Sequence, residues 1–67
     1  MKREVNVKII VDSDSDQWYF VAGDALRDVG LEIYRTPQNV ASNGESMARL
    51  GNALGHYVYE YTIKEQA

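Results

Sequence analysis

Ser42-Asn43-Gly44-Glu45-Ser46-Met47-Ala48-Arg49-Leu50-Gly51-Asn52-Ala53-Leu54-Gly55 is the stretch whose reading decides the fold. Its first four residues form a capping-box pattern, in which Glu45 reaches back to the cap. Met47, Leu50 and Leu54 then share a helical face with Gly51. Gly44, Gly51 and Gly55 act against this, because each glycine in a helix interior weakens it by about 1 kcal/mol. The pattern predicts a helix that ends at Gly55-His56, with Gly51 and Gly55 allowing it to pack closely against the sheet or against Trp18.

Outward from this stretch the period changes to two. Upstream, Leu31 and Ile33 alternate with Glu32 and Tyr34, and Pro37 closes the segment. Downstream, Tyr57, Tyr59, Tyr61 and Ile63 alternate with Val58, Glu60, Thr62 and Lys64. Near the start, Val5, Val7, Ile9 and Val11 oppose Asn6, Lys8 and Ile10, a half-buried strand of β-branched residues. Between the first two alternating segments, Trp18, Val21, Ala22, Ala25, Leu26 and Val29 recur as one helical face. Ser15 or Asp16 can cap that helix, and Gly30 can end it in the left-handed conformation.

The predicted order is strand, helix, strand, helix, strand, in a single domain over residues 1–67. The expected fold class is α/β (or α+β): a small three-stranded sheet in β-α-β-α-β order with both helices on one face. Each strand has one apolar face, and only Ile10, Tyr34 and Val58 offer apolar side chains on the other. Parallel neighbours would be joined by right-handed crossovers. The expected core is Val7, Ile9, Trp18, Ala22, Leu26, Ile33, Leu50 and Leu54.

Composition narrows the function. The 67 residues carry 7 Lys and Arg, 10 Asp and Glu, one His and no Cys, for a formal net charge of −3. Without Cys there is no disulfide framework and no thiolate metal site. The basic residues are scattered, apart from Lys2-Arg3, which argues against direct nucleic-acid binding. No apolar run approaches the roughly 20 residues of a membrane span. Met1-Lys2-Arg3-Glu4 followed by alternation lacks the apolar core of a signal peptide, so a cytoplasmic location is expected. A fold this small, without staples, needs tight packing or a partner subunit, so a homodimer is expected.

Asp12-Ser13-Asp14-Ser15-Asp16 is the most conspicuous motif. Counted from Asp12, a calcium loop needs Gly at position six and Glu at position twelve, and Gln17 and Gly23 stand there. No metal and no cofactor is expected. The plain role is a strand-to-helix turn whose carboxylates complement the positive end of the helix. Ser13 to Trp18, an Ala/Leu helix, Gly30 and Arg35-Thr36-Pro37 together resemble the first third of the phosphoribosylaminoimidazole carboxylase (mutase) family. That resemblance implies nucleotide contacts from Ser13, Asp16 and Arg35. Asp12 replaces the family's loop Gly, Tyr34 stands in place of its catalytic His, and its later Gly-rich segment is missing. No enzymatic activity is inferred from it. His56, between a predicted helix end and a strand, is read as a donor to the last helix carbonyls.

The aromatics point to interaction. Phe20 falls opposite the apolar stripe of the first helix, and Phe20, Gly23 and Arg27 form a ridge at i, i+3 and i+7. Aromatic and Arg side chains are the usual anchors of interfaces. Five carboxylates and one Arg lie between Asp12 and Asp28. The expected function is a small, acidic, non-enzymatic interaction protein of the accessory or viral (phage-encoded) kind. It would self-associate and bind and inhibit another macromolecule with a basic surface. Phe20, Asp24, Arg27, Asp28, Tyr34 and Val58 are its candidate partner-binding residues. The alternative is a small-molecule (nucleotide-like) binding module that uses Ser13, Asp14, Asp16, Arg35 and Tyr59.

Overall fold

The computed structural model describes residues 2–35, 42–46 and 49–66. Along the chain come β1 (Lys2–Asp12), α1 (Trp18–Tyr34), β2 (Ser42–Glu45), β3 (Leu50–Asn52) and β4 (Gly55–Gln66). Every strand pairing is antiparallel and involves β4. β1 pairs along its own full length with β4, from Lys2 opposite Gln66 to Asp12 opposite His56, without a bulge. β2 and β3 occupy the other edge of β4, with Gly44 opposite Tyr61 and Gly51 opposite His56. The predicted three-stranded β-α-β-α-β fold is therefore corrected. The described residues form one four-stranded antiparallel sheet and a single helix.

Two segments account for the difference. Residues 31–34 continue α1 instead of forming a strand, and Arg35 caps the helix in a right-handed conformation. Gly30 stays inside the helix without a positive φ. A four-residue alternation is compatible with either period. Here the i, i+4 stripe of Val21, Ala25 and Val29 extends far enough to carry Glu32 to the hydroxyls of Tyr59 and Tyr61. Pro37, expected to close a strand, and Met47, expected on a helical face, lie outside the described residues.

The other segment, read as a second helix, forms β2, β3 and a tight turn. Glu45 is a strand residue opposite Glu60, so it closes no capping box. The glycines serve the sheet. A Cβ on Gly44 would meet the Tyr61 ring, with the hydroxyl oxygen only 2.6 Å away. A Cβ on Gly51 would sit 2.8 Å from the Cα of His56. The β3–β4 turn is closed by Asn52, whose Oδ1 accepts the Leu54 N–H at 2.8 Å. His56 lies inside β4, opposite Asp12 and Gly51, and not at a helix end.

α1 packs on the sheet face that carries Ile9, Val11, Tyr57, Tyr59 and Tyr61. The buried residues are Val21, Ala25, Val29, Tyr57 and Tyr61, with Ile9, Val11, Leu54 and Tyr59 packed around them. Of the expected core, Ile9, Ala22, Ile33 and Leu54 are half-buried, whereas Val7, Trp18, Leu26 and Leu50 are exposed. Rotation explains Leu26: the helix turns Asp28 and Glu32 toward the β4 tyrosines, which carries Leu26 to the flank. Length explains Val7. The 17 residues of α1 span about 25 Å, while the 12 of β4 span about 40 Å. The paired strands β1 and β4 thus outrun the helix, and the molecule measures 42 × 18 × 14 Å.

Candidate functional site

The Asp/Ser loop is held by its own hydroxyls. Ser13 donates from Oγ to the Leu54 carbonyl at 2.7 Å, and the same Oγ accepts the Ser15 N–H at 3.1 Å. Ser15 Oγ accepts the Gln17 N–H at 3.0 Å, and its carbonyl accepts the Trp18 N–H at 3.2 Å. The helix therefore starts from a tied turn, with Gln17 at the cap position making no side-chain capping bond, which corrects the cap expected from Ser15 or Asp16. Asp12, Asp14 and Asp16 are exposed. Among the described residues no group of three or more His, Cys, Asp or Glu side chains is placed to hold a metal.

A row of tyrosine–carboxylate bonds joins α1 to β4. Tyr57 donates its hydroxyl to Asp28, and Tyr59 donates to Glu32. Tyr61 donates to the other Glu32 oxygen at 3.4 Å. These pairs follow from two periods: alternate residues of β4 meet carboxylates one helical turn apart. Burial, then the Asp28 hydrogen bond, pushes the Tyr57 hydroxyl up to about 12. The Glu32 hydrogen bond, then burial, pushes Tyr59 up to about 12. Tyrosines held neutral to such high pH act as fixed donors, and the row works as a fastener between helix and sheet.

The sequence-proposed ligand residues fall into separate places. Ser13 and Asp14 line a shallow hollow with Asn52, Leu54 and His56, at the start of the helix. Arg35 and Tyr59 line another hollow with Leu31 and Leu50, at its end. The helix between them is about 25 Å long. The region resembling the carboxylase family is built differently from a strand–helix–strand unit, since α1 runs directly into Arg35 with no strand between them.

The proposed partner-binding residues also divide. Phe20 is 52% exposed and Tyr34 81%, and Leu31 is exposed with them. At 100° per residue, Phe20, Gly23, Arg27, Leu31 and Tyr34 form one outward ridge of α1. Tyr34, expected on the uncovered sheet face, is in the last turn of the helix. Arg27 rests on Asp24 and Asp28, at 3.7 Å from each. Asp24 also accepts from Asn52 Nδ2 at 2.6 Å, and Asp28 holds Tyr57, so both acids have structural work. Val58 does lie on the open sheet face, directly opposite Ile10.

Sequence reasoning missed that Trp18 and Tyr19 extend the exposed surface at Phe20, ring against ring, and that Leu26 is exposed on the helix flank. The available signal was an apolar content in α1 too high for one face: Tyr19, Phe20, Leu31 and Tyr34 lie outside the Val21–Ala25–Val29 stripe. No described helix is long and apolar enough to cross a membrane. Comparison with protein families, characterised proteins and solved structures yields no match.

Proposed function

We propose that the protein is a non-enzymatic binding module that docks on another macromolecule through the outward ridge of α1 and modulates it by covering its surface. One observation carries the reading: Phe20, Leu31 and Tyr34 stand exposed in a row on a helix whose buried stripe is built only from Val and Ala. Large apolar side chains gathered on one exposed face mark interaction surfaces, and here Tyr19 stacks on Phe20 at one end of the face while Leu31 and Tyr34 stand at the other. The exposed Asp12, Asp14 and Asp16 at the head of the same helix add negative charge. The matching partner is a protein with an apolar patch rimmed by Lys and Arg, such as a nucleic-acid-binding groove.

The test compares wild type and Phe20→Glu as baits in lysate of the native host. A partner held by wild type, lost by F20E and released by salt supports the reading. Equal capture by both baits refutes it. So does a large thermal stabilisation by nucleotides, because a ligand at 100 times its dissociation constant adds about 2.7 kcal/mol. Such a shift would favour the small-molecule alternative.

A further inference from the structure

β1 is an edge strand: its inner side pairs with β4, and its outer side meets no other described strand. It is 11 residues long, unbulged and free of Pro. Such an edge is a ready template for another strand unless something blunts it. Its helix-side residues Val5 and Val7 are 50% and 41% exposed, although they share a face with the packed Ile9 and Val11.

The flank of α1 above this edge is apolar too. Asp24 is tied to Asn52 of β3, which places that side of the helix over the β3 edge. Leu26, two residues on, lies about 200° around the helix from Asp24, over the β1 edge, and is 61% exposed. Ala22 and Ile33 lie on the same flank, half-buried. An uncovered strand edge with two exposed valines toward its start, and an apolar helix flank beside its end, thus lie on one side of the molecule.

The charges fit a second copy. Helix-side residues face helix-side residues only when the two numbers in an antiparallel β1–β1 pairing have an even sum. Centring on Lys8 would oppose Lys8 to itself and Glu4 to Asp12. Centring on Val7 pairs all 11 residues, with Lys2 opposite Asp12, Val5 opposite Ile9 and Val7 opposite itself.

We infer that the protein forms a two-fold symmetric dimer through antiparallel pairing of β1 with β1 of a second copy, centred on Val7, giving a continuous eight-stranded sheet. Sedimentation at micromolar concentration is expected to give twice the 7.6 kDa chain mass. Val7→Lys places two ammonium groups at the axis and weakens association about a hundredfold or more. Its monomer keeps the wild-type circular dichroism, because Val7 is already partly exposed. Lys2→Asp and Asp12→Lys each put like charges opposite one another and weaken the dimer about tenfold. The double variant K2D/D12K restores it. Phe20→Glu, on the outward ridge, leaves the mass unchanged, so this inference and the proposed docking surface fail separately. The inference is overturned by a monomer throughout the micromolar range. Dissociation by F20E with V7K unaffected, or a double reversal weaker than either single one, overturns it equally.

Discussion

Replacing Gly44 with Ala separates the two ways of folding residues 42–55 by the sign of its effect. In a helix, a glycine-to-alanine change stabilises by about 1 kcal/mol. In β2, Gly44 lies opposite Tyr61, and its new Cβ would enter the space of the Tyr61 ring. Tyr61 is buried, with its hydroxyl engaged by Glu32, so it cannot swing away without cost. Overpacking of this kind costs about 1–3 kcal/mol. For a domain of this size, that lowers the melting temperature by about 4–20 °C. Gly23→Ala is the control, because a Cβ there meets nothing within 4 Å on an exposed helix face. It is expected to gain about 0.5–1 kcal/mol. Thermal unfolding by circular dichroism, at matched protein concentrations, measures both. G44A combined with Tyr61→Leu relieves the collision, so the pair should cost less than the sum of the singles. An unchanged or raised melting temperature for G44A would refute the antiparallel packing of β2 on Tyr61.

The tyrosine row predicts alkaline instability. Tyr57 and Tyr59 have folded values near 12 against an ordinary 10, so their contribution is complete below pH 10 and is lost as pH rises through about 12. Urea titrations across that window should show stability falling, and Tyr59→Phe should flatten the fall; pH-independent stability contradicts the fastener. Burial predicts that Val21→Ala costs about 2 kcal/mol, since Val21 is fully buried. Leu26→Ala, read from sequence as a core loss of about 2–5 kcal/mol, should change monomer stability by only about 0.5 kcal/mol. Chemical denaturation of both in the V7K background checks the order, and a reversed order contradicts the rotation of α1.

Legibility followed the length of each periodic signal. β1 and β4 alternate over eight or more residues with β-branched or aromatic side chains, and both are strands close to the boundaries their pattern implies. The stripe of α1 spans three turns and is a helix. The failures lie where a pattern is short or is interrupted by glycine. Leu31–Tyr34 offers four residues, and its state is decided by Glu32 finding the hydroxyls of Tyr59 and Tyr61 across the fold. The capping box at Ser42 competes with Gly44 and Gly51, whose missing side chains suit close contact in a sheet. Three glycines in twelve residues and the Asn52-Ala53-Leu54-Gly55 turn were the signals against a helix. For the site, the exposed ridge at Phe20 was legible because it stands opposite the stripe. The fastening of Asp24 and Asp28 was not, because it depends on which face of β4 turns toward the helix.

The distribution of large and small side chains connects the fold to the proposed roles. Beneath α1 the sheet presents tyrosines, so the buried stripe of the helix must be small, and Val21, Ala25 and Val29 fill it. Volume is therefore not available inside for Tyr19, Phe20, Leu26, Leu31 or Tyr34. Their outward placement follows from the tyrosine–carboxylate row, which fixes both the distance and the rotation of the helix. A helix needs only polar residues on its solvent side to stay soluble. Large apolar groups there contribute little to a solitary domain and expose it to non-specific association. They become useful once covered: each fully buried one contributes about 1.5–3 kcal/mol, large beside the small net stability of a domain with five buried core residues. The β1 edge and the outward ridge face different directions, so a dimer through the first leaves two copies of the second open. The inferred dimer would thus offer two ridges to a repeated or two-fold partner surface, with the advantage of effective concentration.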